Sequence, residues 1–157
     1  MKIKLIVIGK TDSNELNQLI QTYLKRLQHY IKMELEIIPD IKNRKQLSEK
    51  LQKEKEGELL LKSLKNTDVV VLLDEKGKQF RSVEFSNYLQ GKMNASTKQL
   101  VFIIGGPYGF SDTIYKRATS KISLSKMTFS HQMIRLFMVE QIYRAFTILR
   151  NEPYHHE

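Results

Sequence analysis

The chain contains no cysteine and no tryptophan among its 157 residues, and it has only three prolines. The absence of cysteine excludes disulfide bonds and metal sites built from thiolates. Long apolar runs are missing as well. The N-terminal run Leu5–Ile8 is too short for the core of a signal peptide, and no segment approaches the ~18 residues that a membrane helix needs. We therefore expect a cytoplasmic protein that binds neither a membrane nor a metal.

Acidic residues are scarce in the C-terminal third of the chain. The formal net charge is +9, and Glu140 is the only acid between residues 113 and 151. The basic residues of the same stretch are Lys116, Arg117, Lys121, Lys126, Arg135, Arg144 and Arg150. Basic charge gathered in one region is typical of proteins that bind a polyanion. A solvated, lysine-rich surface is the alternative, and we favour a nucleic acid.

Alternating strands and helices predict one α/β domain over residues 1–157, with a mainly parallel sheet flanked by helices. Apolar and β-branched runs predict strands at Lys2–Ile8, Leu35–Ile38, Val69–Leu73, Leu100–Ile104 and Ile122–Leu124. Apolar residues at helical spacing predict helices over 16–27, 43–64 with a candidate break at Gly57, 83–89, a short segment capped by Ser111 or Asp112, and 131–149. Residues 75–78 are predicted to form a turn.

Two loops that each leave a strand and enter a helix have the features of a ligand site. The first is Gly105-Gly106-Pro107-Tyr108-Gly109, whose adjacent glycines allow positive φ and close approach of a ligand. The second is 123–131, where serines, Thr128 and main-chain amides could hold a small ligand while Met127 and Phe129 pack against a flat ring. Nucleotide-like ligands bind at such carboxyl ends of parallel strands. Simple strand-to-helix connections, with Ser130 as an N-cap, are the alternative.

A phosphate-binding P-loop is excluded, although Gly9-Lys10-Thr11 resembles its last residues and 71–75 resembles its magnesium-binding strand. The P-loop requires another glycine five positions before Gly9, and this chain has Lys4 there. Hydrolysis of a nucleoside triphosphate is therefore not expected.

The tail Asn-Glu-Pro-Tyr-His-His-Glu brings an aromatic ring and imidazoles after the last helix. A frayed terminus is the usual structure of such a segment. The functional alternative is that Tyr154 stacks on a nucleic acid base while His155 transfers a proton. His131, in the first turn of the last helix, is a second candidate base.

These motifs together resemble the SPOUT class of S-adenosylmethionine-dependent methyltransferases. Within that class the chain is similar to the enzymes that methylate a pseudouridine of large-subunit ribosomal RNA at N3. The resemblance covers essentially the whole length: MKIKLIVIGK at the start, Tyr23–Leu27, the glycine loop, LSKMTFSHQ, Tyr143–Ala145 and the closing PYHH. LSKMTF together with the tail is its most specific part. Asp74 departs from the residue that many relatives have.

The resemblance implies a C-terminal trefoil knot and an obligate homodimer with the cofactor pocket at its interface. It implies S-adenosyl-L-methionine as cofactor, and as substrate a pseudouridine in a hairpin loop of 23S rRNA, methylated preferentially on assembled ribosomes. Carried over motif by motif, the cofactor contacts fall on Leu73, Gly105, Leu124, Ser125, Lys126, Met127, Thr128 and Phe129.

For the chemistry we predict that His155 accepts or relays the N3 proton while Tyr154 positions the base. Arg144 or Arg135 would hold an RNA phosphate or stabilise the developing imide anion. The predicted RNA contacts are Lys116, Arg117, Lys121 and Arg135. Two other functions stay open: a SPOUT methyltransferase acting on tRNA, and a non-catalytic ribosome- or RNA-binding factor that uses the same basic surface.

Overall fold

A computed structural model describes residues 1–156 as a parallel sheet with helices on both faces. The strands are β1 (Lys2–Ile8), β2 (Met33–Ile38), β3 (Val69–Gln79), β4 (Gln99–Ile104) and β5 (Ser120–Ser123), in the order β2-β1-β4-β3-β5. Every strand pair is parallel. The helices are α1 (Asn14–Leu27), α2 (Glu49–Lys62), α3 (Ser82–Asn94), α4 (Asp112–Arg117) and α5 (Met133–Leu149). This confirms the predicted α/β class.

The sheet separates two apolar cores, because successive side chains of a strand point to opposite faces. On one face Phe102 and Ile104 of β4 pack with residues of α1, α3 and α5. On the other face Val101 and Ile103 pack with residues of α2 and α4. A strand covered on both faces has no polar side, which explains the uninterrupted apolar sequence of β4.

Two predicted features are wrong. Residues 75–78 do not form a turn, because β3 continues to Gln79 and pairs with β5 on both sides of an irregularity between Leu73 and Lys78. This extension is largely exposed, so it lacks the apolar pattern of a strand. Helix α2 begins only at Glu49, with Ser48 as its N-cap, and passes Gly57 without a break. Gly57 lies in close contact with Ser111, where a Cβ atom has no room.

None of the helices within residues 1–156 is long and apolar enough to cross a membrane.

Candidate functional site

A cavity of about 570 Å³ opens at the carboxyl edge of the sheet. Strand β3 lies between β4 and β5, so the middle of β3, at its irregularity, meets the segments that follow β4 and β5 there. The cavity is lined by residues 73–76, 104–110, 122–125 and 127–131, together with Tyr115 of α4 and Ile134 of α5. Its volume lies within the range of about 300–1,000 Å³ that is usual for small-molecule sites.

The cavity gathers most of the residues to which the resemblance assigned the cofactor. Those that line it are Leu73, Gly105, Leu124, Ser125, Met127, Thr128 and Phe129. Lys126 is exposed and is not among the lining residues. Three segments that are distant in the sequence therefore form one wall, and cofactor binding by these residues stays a prediction.

The glycine loop owes its shape to a different glycine from those we expected. Positive φ occurs at Gly109, with φ +80°, and not at Gly105 or Gly106. Gly106 lies against the Glu56 carboxylate: a Cβ atom at this position would lie 2.6 Å from Oε2 of Glu56, so the Glu56 side chain would have to move. The Gly109 amide donates to the Gly106 carbonyl over 3.1 Å, which closes the loop on itself.

Glu56 lies against the glycine loop, and the sequence did not predict it as part of the site. Its side chain is buried, and its Oε1 accepts a hydrogen bond of 2.9 Å from Nε2 of Gln52. Burial raises the pKa of the Glu56 carboxyl. Gln52, Glu56 and Leu60 lie on the buried face of α2. Their helical spacing is the sequence signal for this burial, and it is weak because many charged residues surround them.

The segment from Ser123 to His131 is held by short-range hydrogen bonds. Ser123 Oγ donates to the Ser125 carbonyl over 2.7 Å, and Ser125 Oγ accepts from the Met127 amide over 2.9 Å. Ser130 Oγ accepts from the Met133 amide over 3.1 Å, but the N-cap residue of α5 is Gln132, so the alternative reading of Ser130 as the N-cap is wrong. The same segment leaves Met127 76% and Phe129 38% exposed at the cavity.

Arg135 corrects one of the predicted RNA contacts. Its side chain is 1% exposed, and its guanidinium donates to the carbonyls of Ile8 (2.6 Å), Gly9 (2.9 Å) and His131 (3.0 Å). These bonds tie the start of α5 to the end of β1. A guanidinium that is buried and bonded in this way cannot reach RNA, so Arg135 has a structural role.

The other predicted RNA contacts differ in their surroundings. Lys116 and Lys121 are exposed, and the Lys121 ammonium lies 5.4 Å from the centre of the Tyr115 ring. Arg117 is half-buried, and its Nη2 donates to the carbonyls of Lys65 (2.6 Å) and Asp68 (3.1 Å). RNA binding at these three positions stays a prediction, and it is weakest for Arg117.

Asp74 lies at one wall of the cavity. Its Oδ2 accepts a hydrogen bond of 2.5 Å from the hydroxyl of Tyr115, and its Oδ1 accepts from the Lys76 amide over 2.8 Å. Burial, together with the bond to Asp74, raises the pKa of Tyr115 to about 12. Asp74 therefore joins β3 to α4 beside the cavity.

The C-terminal tail is folded back onto α1 and α5. The Tyr154 hydroxyl donates to Oε1 of Glu140 over 3.0 Å and lies 3.2 Å from the hydroxyl of Tyr23. Arg144 donates to the same Glu140 oxygen, through Nε at 3.1 Å and Nη2 at 2.7 Å. Tyr154, Arg144 and His155, predicted separately as catalytic residues, thus meet in one cluster.

Arg144 also determines the hydrogen positions of His155. Its Nη1 lies 3.4 Å from Nδ1 of His155. A guanidinium only donates, so Nδ1 is the acceptor and the hydrogen of the neutral ring is on Nε2. Nε2 is buried and has no hydrogen-bond partner among residues 1–156.

This tail cluster is separate from the cavity of its own chain. None of Arg144, Tyr154 and His155 lines the cavity. Glu140 lies six residues after Ile134, which corresponds to about 9 Å along the axis of α5 and about 120° around it. The predicted catalytic residues and the predicted cofactor residues therefore lie at two separate places in one chain.

Residues 1–156 include no group of three histidine, cysteine or acidic side chains that could hold a metal ion.

Comparison with known proteins identifies the family. Residues 1–155 match the family described as predicted SPOUT methyltransferase. A ribosomal RNA large subunit methyltransferase H from Christiangramia forsetii is 67% identical over 156 residues, with 99% of each chain covered. A protein of the same name from Flavobacterium johnsoniae is 68% identical over 157 residues, with 100% of both chains covered.

The fold also has a counterpart among solved structures. A probable methylase family protein from Haemophilus influenzae superposes with a TM-score of 0.53 at 12% identity, over 99% of this chain and 70% of that one. At this identity the likeness concerns the fold alone. The matches in sequence show that the chain belongs to the SPOUT methyltransferase family and is a methyltransferase.

Proposed function

We propose that the protein transfers a methyl group from S-adenosyl-L-methionine to N3 of a pseudouridine in a hairpin loop of 23S rRNA. The reaction would take place on assembled ribosomes in the cytoplasm. The observation that carries the proposal is the convergence of seven predicted cofactor residues, from three distant segments, on one cavity. Relatives of 67% and 68% identity named for the large-subunit RNA favour rRNA over tRNA as the substrate.

The cavity fits the proposed cofactor in size and lining. Main-chain groups of 105–110 and 123–128 would bind its polar parts, and the absence of a Cβ at Gly106 leaves the loop seated on Glu56. Met127 and Phe129 supply exposed apolar surface for a flat base. When bound, S-adenosylmethionine supplies an electrophilic methyl group on its sulfonium. The protein binds and orients the reactants.

A homodimer is part of the proposal, because the tail cluster lies outside the cavity of its own chain. We infer that the tail of one protomer completes the cavity of its partner. Exposed apolar side chains beside the cavity support a covering surface there: Met127 (76%), Met133 (41%), Phe129 (38%) and Phe137 (36%). The Phe129 and Phe137 rings are in contact, with centroids 4.9 Å apart. The trefoil knot implied by the family belongs to the same proposal.

Arg144 and His155 could together recognise and deprotonate the pyrimidine imide. An imide presents a carbonyl oxygen beside its N3–H group. Arg144 Nη1 and His155 Nδ1, 3.4 Å apart, are an adjacent donor and acceptor that match this edge. When Arg144 turns to the carbonyl oxygen, Nδ1 becomes free to accept the N3 proton, and the guanidinium stabilises the developing anion. Tyr154 would hold the base.

The proposed reaction is tested by mass spectrometry of nucleosides. Purified protein and S-adenosylmethionine are incubated with ribosomes that lack the modification, and separately with unmodified tRNA. We expect N3-methylpseudouridine in 23S rRNA and no product in tRNA. Methylated tRNA would support the tRNA alternative, and tight ribosome binding without any product would support the non-catalytic factor.

The shared site is tested by mixing two inactive variants. His155→Ala removes the proposed proton acceptor, and Thr128→Trp fills the cavity. If the tail acts on the cavity of its partner, a heterodimer of the two variants contains one intact site and recovers activity. If a verified heterodimer recovered no activity, the tail and the cavity of the same chain would form one site.

A further inference from the structure

Four tyrosines form a continuous cluster near the C-terminal ends of α1 and α5. Tyr143 lies at its centre, with ring centroids 5.7 Å from Tyr23, 5.8 Å from Tyr30 and 4.9 Å from Tyr154. We call these four residues the tyrosine cluster. Because Tyr154 belongs to it, the cluster connects the surface of α1 directly to the proposed catalytic tail.

Three arginines lie over these rings. The Arg144 guanidinium is 4.7 Å from the centre of Tyr154, and that of Arg150 is 4.4 Å from Tyr30. Arg26 is shared between Tyr23 (5.4 Å) and Tyr143 (5.8 Å). The remaining cation–ring contacts within residues 1–156 are made by lysines on separate rings. The tyrosine cluster is thus a platform that holds several planar cations.

Two of the three cations are not neutralised. Arg144 is paired with Glu140 at 2.7 Å. Arg26 and Arg150 are exposed, and among the described residues neither has a carboxylate within 4.0 Å. Within residues 1–156 the Arg150 side chain donates only to the His29 carbonyl, over 3.3 Å. A guanidinium that stacks on a ring keeps donors in its plane, and these match the oxygens of a phosphate.

Helix capping explains part of this arrangement. Arg26 is in the last turn of α1 and Arg150 is the C-cap residue of α5, where positive charge stabilises the helix dipole. Capping does not require that both side chains stack on rings continuous with Tyr154. The stacking fixes their position relative to the tail, which is what recognition of a substrate backbone needs.

We propose that Arg26 and Arg150 form a phosphate-binding surface that holds the backbone of the substrate RNA beside Tyr154 and His155. The inference rests on the proposed function, in which this tail contacts the target base. It adds a second RNA surface, distinct from Lys116 and Lys121 on α4 and β5. Stacking of the arginines orders them before RNA arrives, so less side-chain entropy is lost on binding.

The test compares charge removal at this surface with equal charge removal elsewhere. The double variant Arg26→Ala/Arg150→Ala is compared with Lys50→Ala/Lys62→Ala, which removes two exposed charges from α2. Binding to purified unmodified ribosomes is measured across salt concentrations, together with cofactor affinity by calorimetry. For the arginine variant we expect roughly tenfold weaker binding or more. The slope of log K against log salt should fall by up to about 1.4, from roughly 0.7 for each single-strand phosphate contact.

Cofactor affinity should be unchanged in the arginine variant, and its melting temperature should fall only slightly, because two helix-end charges are lost. Arg26→Lys/Arg150→Lys should recover most of the salt slope. The proposal would be overturned by an unchanged salt slope in the arginine variant, or by an equal loss of ribosome affinity in Lys50→Ala/Lys62→Ala. A salt slope that Arg26→Lys/Arg150→Lys does not recover would also overturn it. Ribosome binding is measured without the reaction. A wild-type protein that binds ribosomes but forms no methylated product would therefore contradict the proposed function alone.

Discussion

The Tyr154 hydroxyl donates a hydrogen bond to Oε1 of Glu140 across 3.0 Å, and the same oxygen accepts two hydrogen bonds from Arg144. One carboxylate therefore positions both the ring and the cation of the proposed catalytic cluster. Burial, with the neighbouring Tyr23 and Glu140, raises the pKa of Tyr154, so the hydroxyl keeps its proton at neutral pH. Tyr154 is consequently a hydrogen-bond donor and not a base.

Replacement of Glu140 by Gln tests this arrangement. The amide lacks the charge that attracts Arg144, so we expect both Arg144 and Tyr154 to lose their positions. Misplacement by about 1 Å can cost ~100-fold in rate, and we expect a fall in kcat of roughly 10- to 100-fold. Cofactor affinity should not change, because Glu140 does not line the cavity. Single-turnover methylation and calorimetry measure the two quantities, with the exposed Glu58→Gln as control.

Gly109→Ala tests the glycine loop. Gly109 has φ +80°, and no atom lies within 4 Å of the position of an added Cβ, so conformational strain alone is introduced. We expect the free energy of unfolding to fall by about 1 kcal/mol and cofactor affinity to weaken. The matched control is Gly91→Ala in α3, which also meets no atom. That change should stabilise the protein by up to about 1 kcal/mol, because Ala is favoured over Gly in a helix. If urea unfolding showed the same change in the free energy of unfolding for Gly109→Ala and Gly91→Ala, this account would be contradicted.

Arg135→Met tests the structural role of the buried guanidinium. The change leaves the carbonyls of Ile8, Gly9 and His131 without their donor. Each buried carbonyl left unsatisfied costs about 1–3 kcal/mol, and we expect a loss of at least about 3 kcal/mol in the free energy of unfolding. Arg44→Met, which breaks the exposed pair with Asp40, should cost about 0.5 kcal/mol or less. A loss of RNA affinity without a loss of stability would restore Arg135 to the RNA surface.

Alkaline pH tests the bond between Tyr30 and Glu152, which anchors the tail on α1. The bond to Glu152, followed by burial, raises the pKa of Tyr30 to about 12, above its ordinary value of 10.0. A raised pKa means that the unfolded chain releases this proton first. The stabilisation is therefore complete below pH 10 and is lost as the pH rises toward 12. Urea unfolding at several pH values should show that Tyr30→Phe loses less stability than the wild type as the pH rises. An identical loss of stability in both proteins would contradict the assignment of this effect to Tyr30.

The sequence predicted best where one local rule dominates. Strand β1 has the predicted bounds, and α1 is capped by Ser13, whose Oγ accepts from the Leu16 amide over 3.1 Å. Buried parallel strands such as β4 show themselves as continuous apolar runs. The resemblance added the residues of the cavity wall, because LSKMTF is a specific motif.

Long-range pairing accounts for what the sequence did not reveal. Glu56 and Arg135 are charged residues that become buried, since each meets partners more than 40 residues away in the chain. The polar end of β3 is a strand only because β5 pairs with it. The same holds for the tail: Tyr154 was expected at the ligand site, and contacts with Tyr23 and Glu140 hold it apart from the cavity of its own chain.

The central claim is that the cavity between the middle of β3 and the carboxyl ends of β4 and β5 holds the methyl donor. Calorimetric titration of the wild-type protein and of Thr128→Trp with S-adenosylmethionine tests it most directly. We predict saturable binding to the wild type and binding at least ~10-fold weaker in the variant, with an unchanged melting temperature. A wild-type protein that binds no S-adenosylmethionine, or a folded Thr128→Trp variant that binds it equally well, would contradict the claim.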